Sequence, residues 1–480
     1  MLVAGIDSST QSTKVLLCDA SDGTVIDQAT APHPDGTECD PADWWRALSS
    51  AGQGLLERAD AIGVAAQQHG MIVLDEAGEV IRPALLWNDL RSAPAALELI
   101  DEMGGPQWWA RETGSVPTAS FTVTKLRWLA THEPDLAARV DRVLLPHDWL
   151  TWRLGGAAGE PTTDRGDASG TGYFSPAAGS WLPHVAAAAL GRQVRLPRLA
   201  EPAVIVGNTP TGVPLSAGTG DNMGAALGLG IGSADVVVSI GTSGTAYAVA
   251  LTPAADPSGA VAGFADATGH FLPLIATVNA ARVLTVTARM LGVDIASFDQ
   301  LALTAPPGAD GLTLLPYLDG ERTPNRPSAT GVLRGLTSGN ATPAHLARAA
   351  VEAVLCSLAD AIDNLAACGI TARQVTLIGG GARSAAVRAI APAVFGVPVV
   401  VPPPAEYVAL GAARQAAWAL TGSLPDWPTA GSTAERSAAG SAAGSAADFT
   451  ADFTAEFTAE PDDAVRRRYA ALREDTAGWA

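Results

Sequence analysis

Lysine is almost missing from this chain of 480 residues. Only Lys14 and Lys125 occur, and arginine carries the remaining positive charge. Neither lysine sits in Gly-x-x-x-x-Gly-Lys-Ser/Thr, which excludes a P-loop. Basic residues are few altogether: 30 Lys and Arg stand against 49 Asp and Glu, a formal net charge of −19 at pH 7. That balance argues against nucleic acid or an anionic membrane surface as partner. The four cysteines, Cys18, Cys39, Cys356 and Cys368, form neither a metal-ligand spacing nor a disulfide framework. His-Glu-x-x-His and Gly-x-Ser-x-Gly are both absent. Asp7 interrupts the only N-terminal apolar stretch, so no signal peptide is read there, and no window approaches the apolar length of a membrane span. These absences lead us to expect a reduced, cytoplasmic enzyme.

The length suits two sizeable domains. Strands are predicted at 2–6, 13–18, 61–66, 71–74 and 143–146, with helices at 41–58, 92–102 and 123–132. A second block, 234–420, has strands at 236–240, 245–249 and 375–378, and helices at 344–364 and 384–395. Both blocks open on the same hairpin, a weak internal duplication. Mixed βα units with Gly-rich connections indicate α/β layers in each. The expected boundaries are 1–232, 233–425 and 426–480. Within the last segment, 430–460 is low-complexity. Phe449, Phe453 and Phe457 are spaced like a helix stripe, but repeat expansion giving a poorly ordered tail is the expectation there. A short helix is predicted at 462–474.

Candidate chemistry begins at the two hairpins. Gly5-Ile6-Asp7-Ser8-Ser9-Thr10-Gln11-Ser12-Thr13-Lys14 is an apolar strand breaking into a hydroxyl-rich turn, and Ser239-Ile240-Gly241-Thr242-Ser243-Gly244-Thr245 repeats the scheme. Backbone N–H groups and hydroxyls on such turns can face a polyphosphate, although ordinary hairpins with small turn residues share the pattern. Lys14 could reach phosphate as a point charge. Asp7, at a strand end, suits Mg2+ or caps its own turn. Asp221, in Gly220-Asp221-Asn222-Met223-Gly224, is either a helix N-cap or a base that takes a hydroxyl proton, with Asn222 holding that hydroxyl. Gln67-Gln68-His69 and Trp87-Asn88-Asp89 mix the amide, imidazole, indole and carboxylate groups that read a polyol. Gly379-Gly380-Gly381-Ala382 follows a strand, where missing side chains would let a base or ribose lie on the backbone; a plain strand-to-helix turn is the competing reading.

With these pieces in order, the chain resembles the FGGY family of carbohydrate kinases over about 2–420. Ser120-Phe-Thr-Val-Thr-Lys125-Leu-Arg-Trp128 and Gly331-Val-Leu-Arg-Gly335 through Glu352 look like the family's signatures. Further likeness lies in Leu85 to Arg91, Asp167 to Phe174 and Leu315 to Pro324. The resemblance implies an α/β fold of two actin-like (ribonuclease H-like) ATPase domains flanking a nucleotide cleft that closes over ATP and Mg2+. It implies Asp221 as catalytic base and Asp7 near the metal. Gln68, His69, Trp87 and Asn222 fall to the sugar, and Thr10, Gln11, Ser12, Lys14, Gly241, Thr242, Gly380, Gly381 and Ala382 to ATP. In many members the Gln68-His69 pair reads Met-His. The activity implied is ATP-dependent phosphorylation of a small sugar, a ketopentose first, with no nucleic acid or membrane partner and a homodimer compatible with the family. The alternatives are another polyol substrate, or an actin-like nucleotide-binding protein without sugar chemistry.

Overall fold

In the computed structural model, which describes residues 1–233, 235–428, 437–438 and 455–479, the chain divides into two units. Unit 1 comprises Met1–Ile231, Ala250–Pro273 and Ala405–Thr429; unit 2 comprises Gly232–Val249, Leu274–Pro404 and Ala430–Ala480. Two stretches that the sequence boundaries assign to the second domain, 250–273 and 405–425, therefore pack in unit 1.

Unit 1 is built on a seven-stranded sheet. Its order is Ile205–Asn208, Pro214–Ser216, Ala61–Ala66, β1 (Leu2–Ser8), β2 (Ser12–Asp19), β3 (Val25–Pro32), with Thr219–Gly220 beside the end of Ala61–Ala66. β1, β2 and β3 run antiparallel in sequence, and Ala61–Ala66 lies parallel to β1. The period of 2 sends Ala4 and Ile6 toward Trp44 and Leu48 of the Pro41–Gly52 helix, and Val3 toward Ala409 and Ala413 of the Tyr407–Thr421 helix. Both faces are buried, which explains an apolar run without polar alternation.

Glycine sets how closely the Tyr407–Thr421 helix approaches. A Cβ at Gly5 would lie 1.9 Å from the Ala409 carbonyl oxygen, and one at Gly63 would lie 2.2 Å from that of Ala412. On the other side of the helix, Gly411 faces the Gly224 oxygen at 1.9 Å and Gly228 faces that of Tyr407 at 2.0 Å, measured in the same way.

Unit 2 repeats the pairing scheme. Asp235–Ile240 and Gly244–Ala248 form an antiparallel hairpin, residues 274–277 continue it, and Gln374–Ile378 runs parallel on the far side of Asp235–Ile240. The internal duplication is thus topological: a hairpin, a third antiparallel strand, and a parallel strand on the opposite flank. The 25-residue helix Pro343–Ala367, capped by Thr342, is the longest of the described helices.

The readings of the strand at 143–146 and of the tail change, while the predicted terminal helix is present. Strand 143–146 ends earlier, as Arg142–Leu144, because Pro146 opens the helix Pro146–Leu154, where its missing N–H costs nothing. In the tail, Phe457 belongs to a strand, Ala455–Phe457, antiparallel to Val399–Val401, while Phe449 and Phe453 lie outside the described residues. The terminal helix is Asp463–Asp475, with Asp462 accepting from Ala464 and Val465 N–H. No helix among the described residues is long and apolar enough to cross a membrane.

Gly411→Ala forces its methyl onto the Gly224 carbonyl, and should lower unfolding stability by about 1–3 kcal/mol. Gly207→Ala, where a Cβ would meet nothing within 4 Å, should stay within about 0.5 kcal/mol of the parent. Equal urea midpoints for the two variants would contradict the close-packing account.

Candidate active site

β1 delivers Asp7 at its buried end, opposite Lys14 in the β1–β2 register. Asp7 Oδ1 is enclosed and has no hydrogen-bond partner among the described residues. Burial lifts this carboxyl to about 7, Lys14 opposing the rise and Glu406 adding to it. Lys14 Nζ is ion-paired with Glu406, and both side chains are partly exposed. Such a pair contributes at most about 1 kcal/mol, so phosphate can displace the carboxylate at little cost.

The turn after β1 uses its hydroxyls inside unit 1. Ser9 N–H and Oγ both donate to the Ser12 carbonyl. Thr10 Oγ1 accepts from Trp87 Nε1 at 2.8 Å and donates to Gln67 Oε1 at 3.4 Å. The structure therefore brings Trp87 to the hairpin tip. Gln11 is exposed, and its carbonyl accepts from His33 N–H.

Asp221 is the first residue of the helix Asp221–Leu229, whose N-cap is Gly220, so the capping alternative does not hold. Its Oδ1 accepts from Asn222 N–H at 2.8 Å and from Asn222 Nδ2 at 2.9 Å. Desolvation, then the neighbouring Asp7 charge, push Asp221 up to about 7. Asn222 Nδ2 also donates to Gln68 Oε1 at 3.0 Å, and the buried Gln68 Nε2 has no partner among the described residues. A Cβ on Gly220 would strike Gln68 at 2.8 Å, so glycine there lets the amide reach Asn222. His69 has left-handed backbone, φ 68°, a state that costs a non-glycine residue about 1–3 kcal/mol. Its Nδ1 lies 2.7 Å from the Gly170 carbonyl, which can only accept, so Nδ1 carries the hydrogen. Asp7, Thr10, Gln68, Trp87, Asp221 and Asn222 thus form one connected group in unit 1.

Unit 2 holds a second group. The Gly241 and Thr242 carbonyls accept from Ala281 and Ala280 N–H at the start of helix Ala281–Leu291. Gly379, at φ 88°, and Gly381 pack on Ile240, where a Cβ on Gly381 would meet Ile240 Cγ2 at 2.2 Å. The glycine turn is therefore seated on the strand that leads into the Gly241–Thr242 turn. Around Gly380 a Cβ would find open space, and the Ala382 carbonyl accepts from Arg388.

Sequence reasoning missed a buried ionic cluster that touches the strand before Asp221. His147 Nδ1 and Asp167 Oδ2 lie 2.6 Å apart, and His147 Nε2 stands 3.3 Å from Asp148 Oδ1 and 4.0 Å from Asp164 Oδ1. Asp164 Oδ2 accepts from Thr219 Oγ1, two residues before Asp221. Burial would depress the imidazole, but Asp148 and Asp167 outweigh it and hold its proton up to about 9. Burial pushes Asp148 to about 7 and Asp167 to about 6, His147 opposing both. Although His147, Asp148 and Asp167 bring ligand atoms within 4.8 Å of one another, Nδ1 is already committed to Asp167, and we read the group as a shared-proton cluster. Its only trace in the sequence is a pair of Asp-bearing stretches some twenty residues apart, with nothing to show that they meet. Glu406, which pairs with Lys14, escaped notice for the same reason.

Comparison with known proteins defines the class. Residues 2–228 match the N-terminal domain of the FGGY family of carbohydrate kinases, and residues 236–420 match its C-terminal domain. The chain belongs to this family: it is a sugar kinase with the two-domain fold of actin-like ATPase type. Among its relatives, the xylulose kinase of Streptomyces coelicolor is 48% identical over 438 residues, 88% of each chain, and that of Escherichia coli is 37% identical over 403 residues, 79% of this chain and 82% of the other. The crystal structure of xylulose kinase from Bifidobacterium adolescentis superposes with a TM-score of 0.87 at 40% identity, covering 98% of this chain and 99% of that one.

The His147 cluster gives stability a definite pH dependence. Asp148 and Asp167 hold protons in the folded state that the unfolded chain releases above 3.8, and that stabilisation is lost as pH rises through about 6 to 7. His147 adds stability that is complete below 6.5 and lost as pH rises through about 9. Urea midpoints should therefore fall steadily between about pH 5 and pH 9. A midpoint that rises over this range would show that the cluster does not bind its protons more tightly in the folded state.

Proposed function

We propose that this kinase transfers the γ-phosphoryl group of ATP to the 5-hydroxyl of D-xylulose, giving D-xylulose 5-phosphate and ADP. The observation that carries the reading is the Asp221 carboxyl, poised near 7 at the start of a helix and fixed by both donors of Asn222. A base with that affinity can take the hydroxyl proton as the sugar oxygen attacks phosphorus. The names carried by the relatives support the choice of sugar.

Around the base, Gln68 Nε2 supplies a donor for a sugar oxygen, and Trp87 offers an apolar face beside Thr10. Asn222 orients Asp221 and the reacting hydroxyl together. We assign Thr10, Gln11, Ser12 and Lys14 of unit 1, and Gly241, Thr242, Gly380, Gly381 and Ala382 of unit 2, to ATP. The open space at Gly380 and the replaceable Lys14–Glu406 pair support this. Asp7 suits Mg2+: an unpartnered buried oxygen next to a second carboxylate is a donor set that a hard cation relieves. Bound there, the ion would neutralise phosphate charge. We assign the enzyme to the cytoplasm, in keeping with its four free cysteines.

The deciding experiment measures ADP release from MgATP with D-xylulose, D-ribulose, L-ribulose, gluconate and glycerol in parallel. Stimulation by D-xylulose above the others is expected. A preference for another polyol would move the error to the pocket around Gln68, and equal slow release with every sugar would remove the kinase reading. Asp221→Asn should lower turnover by about 10²–10⁴, with sugar and ATP still bound in calorimetry. Asp7→Asn should shift the Mg2+ dependence of the rate to higher concentration; an unchanged curve would take Asp7 out of the metal site.

A further inference from the structure

We propose that Lys125 is a positioning residue for the sugar site, acting through the main chain of His69. The proposal rests on the reading of His69 as a sugar contact. Lys125 is one of two lysines in the chain, and its side chain is wholly buried. A buried ammonium is costly unless its hydrogen bonds are met. Here they go to main-chain oxygens: Nζ donates to the Ser120 carbonyl and, at 3.3 Å, to the His69 carbonyl. Thr122 Oγ1 donates to the same His69 oxygen at 3.2 Å. Both donors lie on one helix, Thr122–His132, so a single rigid element grips that carbonyl.

The grip matters because of what His69 must do. Its φ of 68° is disfavoured for a residue with a Cβ, and a peptide free to relax would leave that state. The ring is held as firmly as the backbone. Nδ1 bonds the Gly170 carbonyl, and the imidazole lies 5.0 Å from the Phe121 ring and 5.9 Å from the Phe264 ring. A Cβ on Gly170 would come within 2.7 Å of Nδ1, so a glycine is needed beside it. Residues 120–125 thus touch His69 at its carbonyl and at its ring. A strained turn bearing a ligand-reading side chain keeps its aim only while its surroundings over-determine it. Lys125 supplies a directional part of that restraint through its hydrogen bond to the His69 carbonyl. Rotation of the 69–70 peptide would turn the His69 carbonyl away and swing Gln68 and His69 out of register with Asn222 and Asp221.

The test is a double-mutant cycle in the full-length enzyme, with the KM for sugar and the KM for ATP measured separately on whichever sugar the wild-type protein phosphorylates. Lys125→Met should raise the KM for sugar by about tenfold, a coupling usual within one hydrogen-bonded network, and leave the KM for ATP within about twofold. In a His69→Ala background the same substitution should add less than about twofold, because the side chain it serves is gone. Thr122→Val removes only the second donor and should give a smaller rise that also vanishes with His69→Ala; it serves as the readout if Lys125→Met fails to fold. An unchanged KM for sugar in Lys125→Met, or in Thr122→Val when only that variant folds, would overturn the inference, as would an equal rise in both backgrounds, the signature of a purely structural lysine. A wild-type protein that responds to no sugar would overturn this inference and the functional reading together; an active wild type with additive variants overturns this inference alone.

Discussion

The close approach of one late helix to the first sheet underlies the rest of the structure of unit 1. Tyr407–Thr421 lies against β1, Ala61–Ala66 and the helix Asp221–Leu229 at separations that leave no room for a β-carbon on Gly5, Gly63, Gly228 or Gly411. Backbone packed on backbone cannot slide as side chains can, so the strand end carrying Asp7 and the helix start carrying Asp221 are held in one frame. The polar ties agree with this: Gln415 bonds Ser216 and the Gly218 carbonyl, and Arg414 bonds the Leu227 carbonyl. The same segment supplies Glu406 to Lys14.

On that frame the chemistry is one of buried carboxylates. Asp7 and Asp221 are both lifted to about 7, mainly by desolvation, and the proposed roles, a cation at the first and a hydroxyl proton at the second, would relieve each of them. Beneath them the His147 cluster holds three carboxylates around one imidazole, and is joined to the catalytic strand through Asp164 and Thr219. Charge buried in this way is costly for folding unless it is paired and hydrogen-bonded, as it is here.

Much of the fold was legible because it is local. Strands 2–6 and 236–240 announce themselves as apolar runs ending in Gly, Ser and Thr, and the shared hairpin motif foretold a duplication that proves to be one of strand pairing. The helix at 123–132 and the long helix near 344–364 were visible from periodicity. Pro146 was misjudged because a proline ends one element and opens the next equally well. Residues 407–421 were assigned to the second domain, and no helix was predicted there, because chain order gives no hint that an Ala- and Gly-rich segment returns to pack on the first strand.

The site divides along the same line. Sequence alone determined the residue types at the turns, the carboxylates of Asp7 and Asp221, the amide of Gln68 and the family to which they point, since short motifs keep their chemistry within a few consecutive residues. Only the tertiary structure decided that Trp87 bonds Thr10, that Asn222 joins Gln68 to Asp221, that Lys14 is held by Glu406, and that Lys125 holds the carbonyl of His69. These contacts join residues up to 392 positions apart in the chain. Hydrogen bonds and desolvation act over a few ångströms of space, and a linear order of residues does not contain that distance.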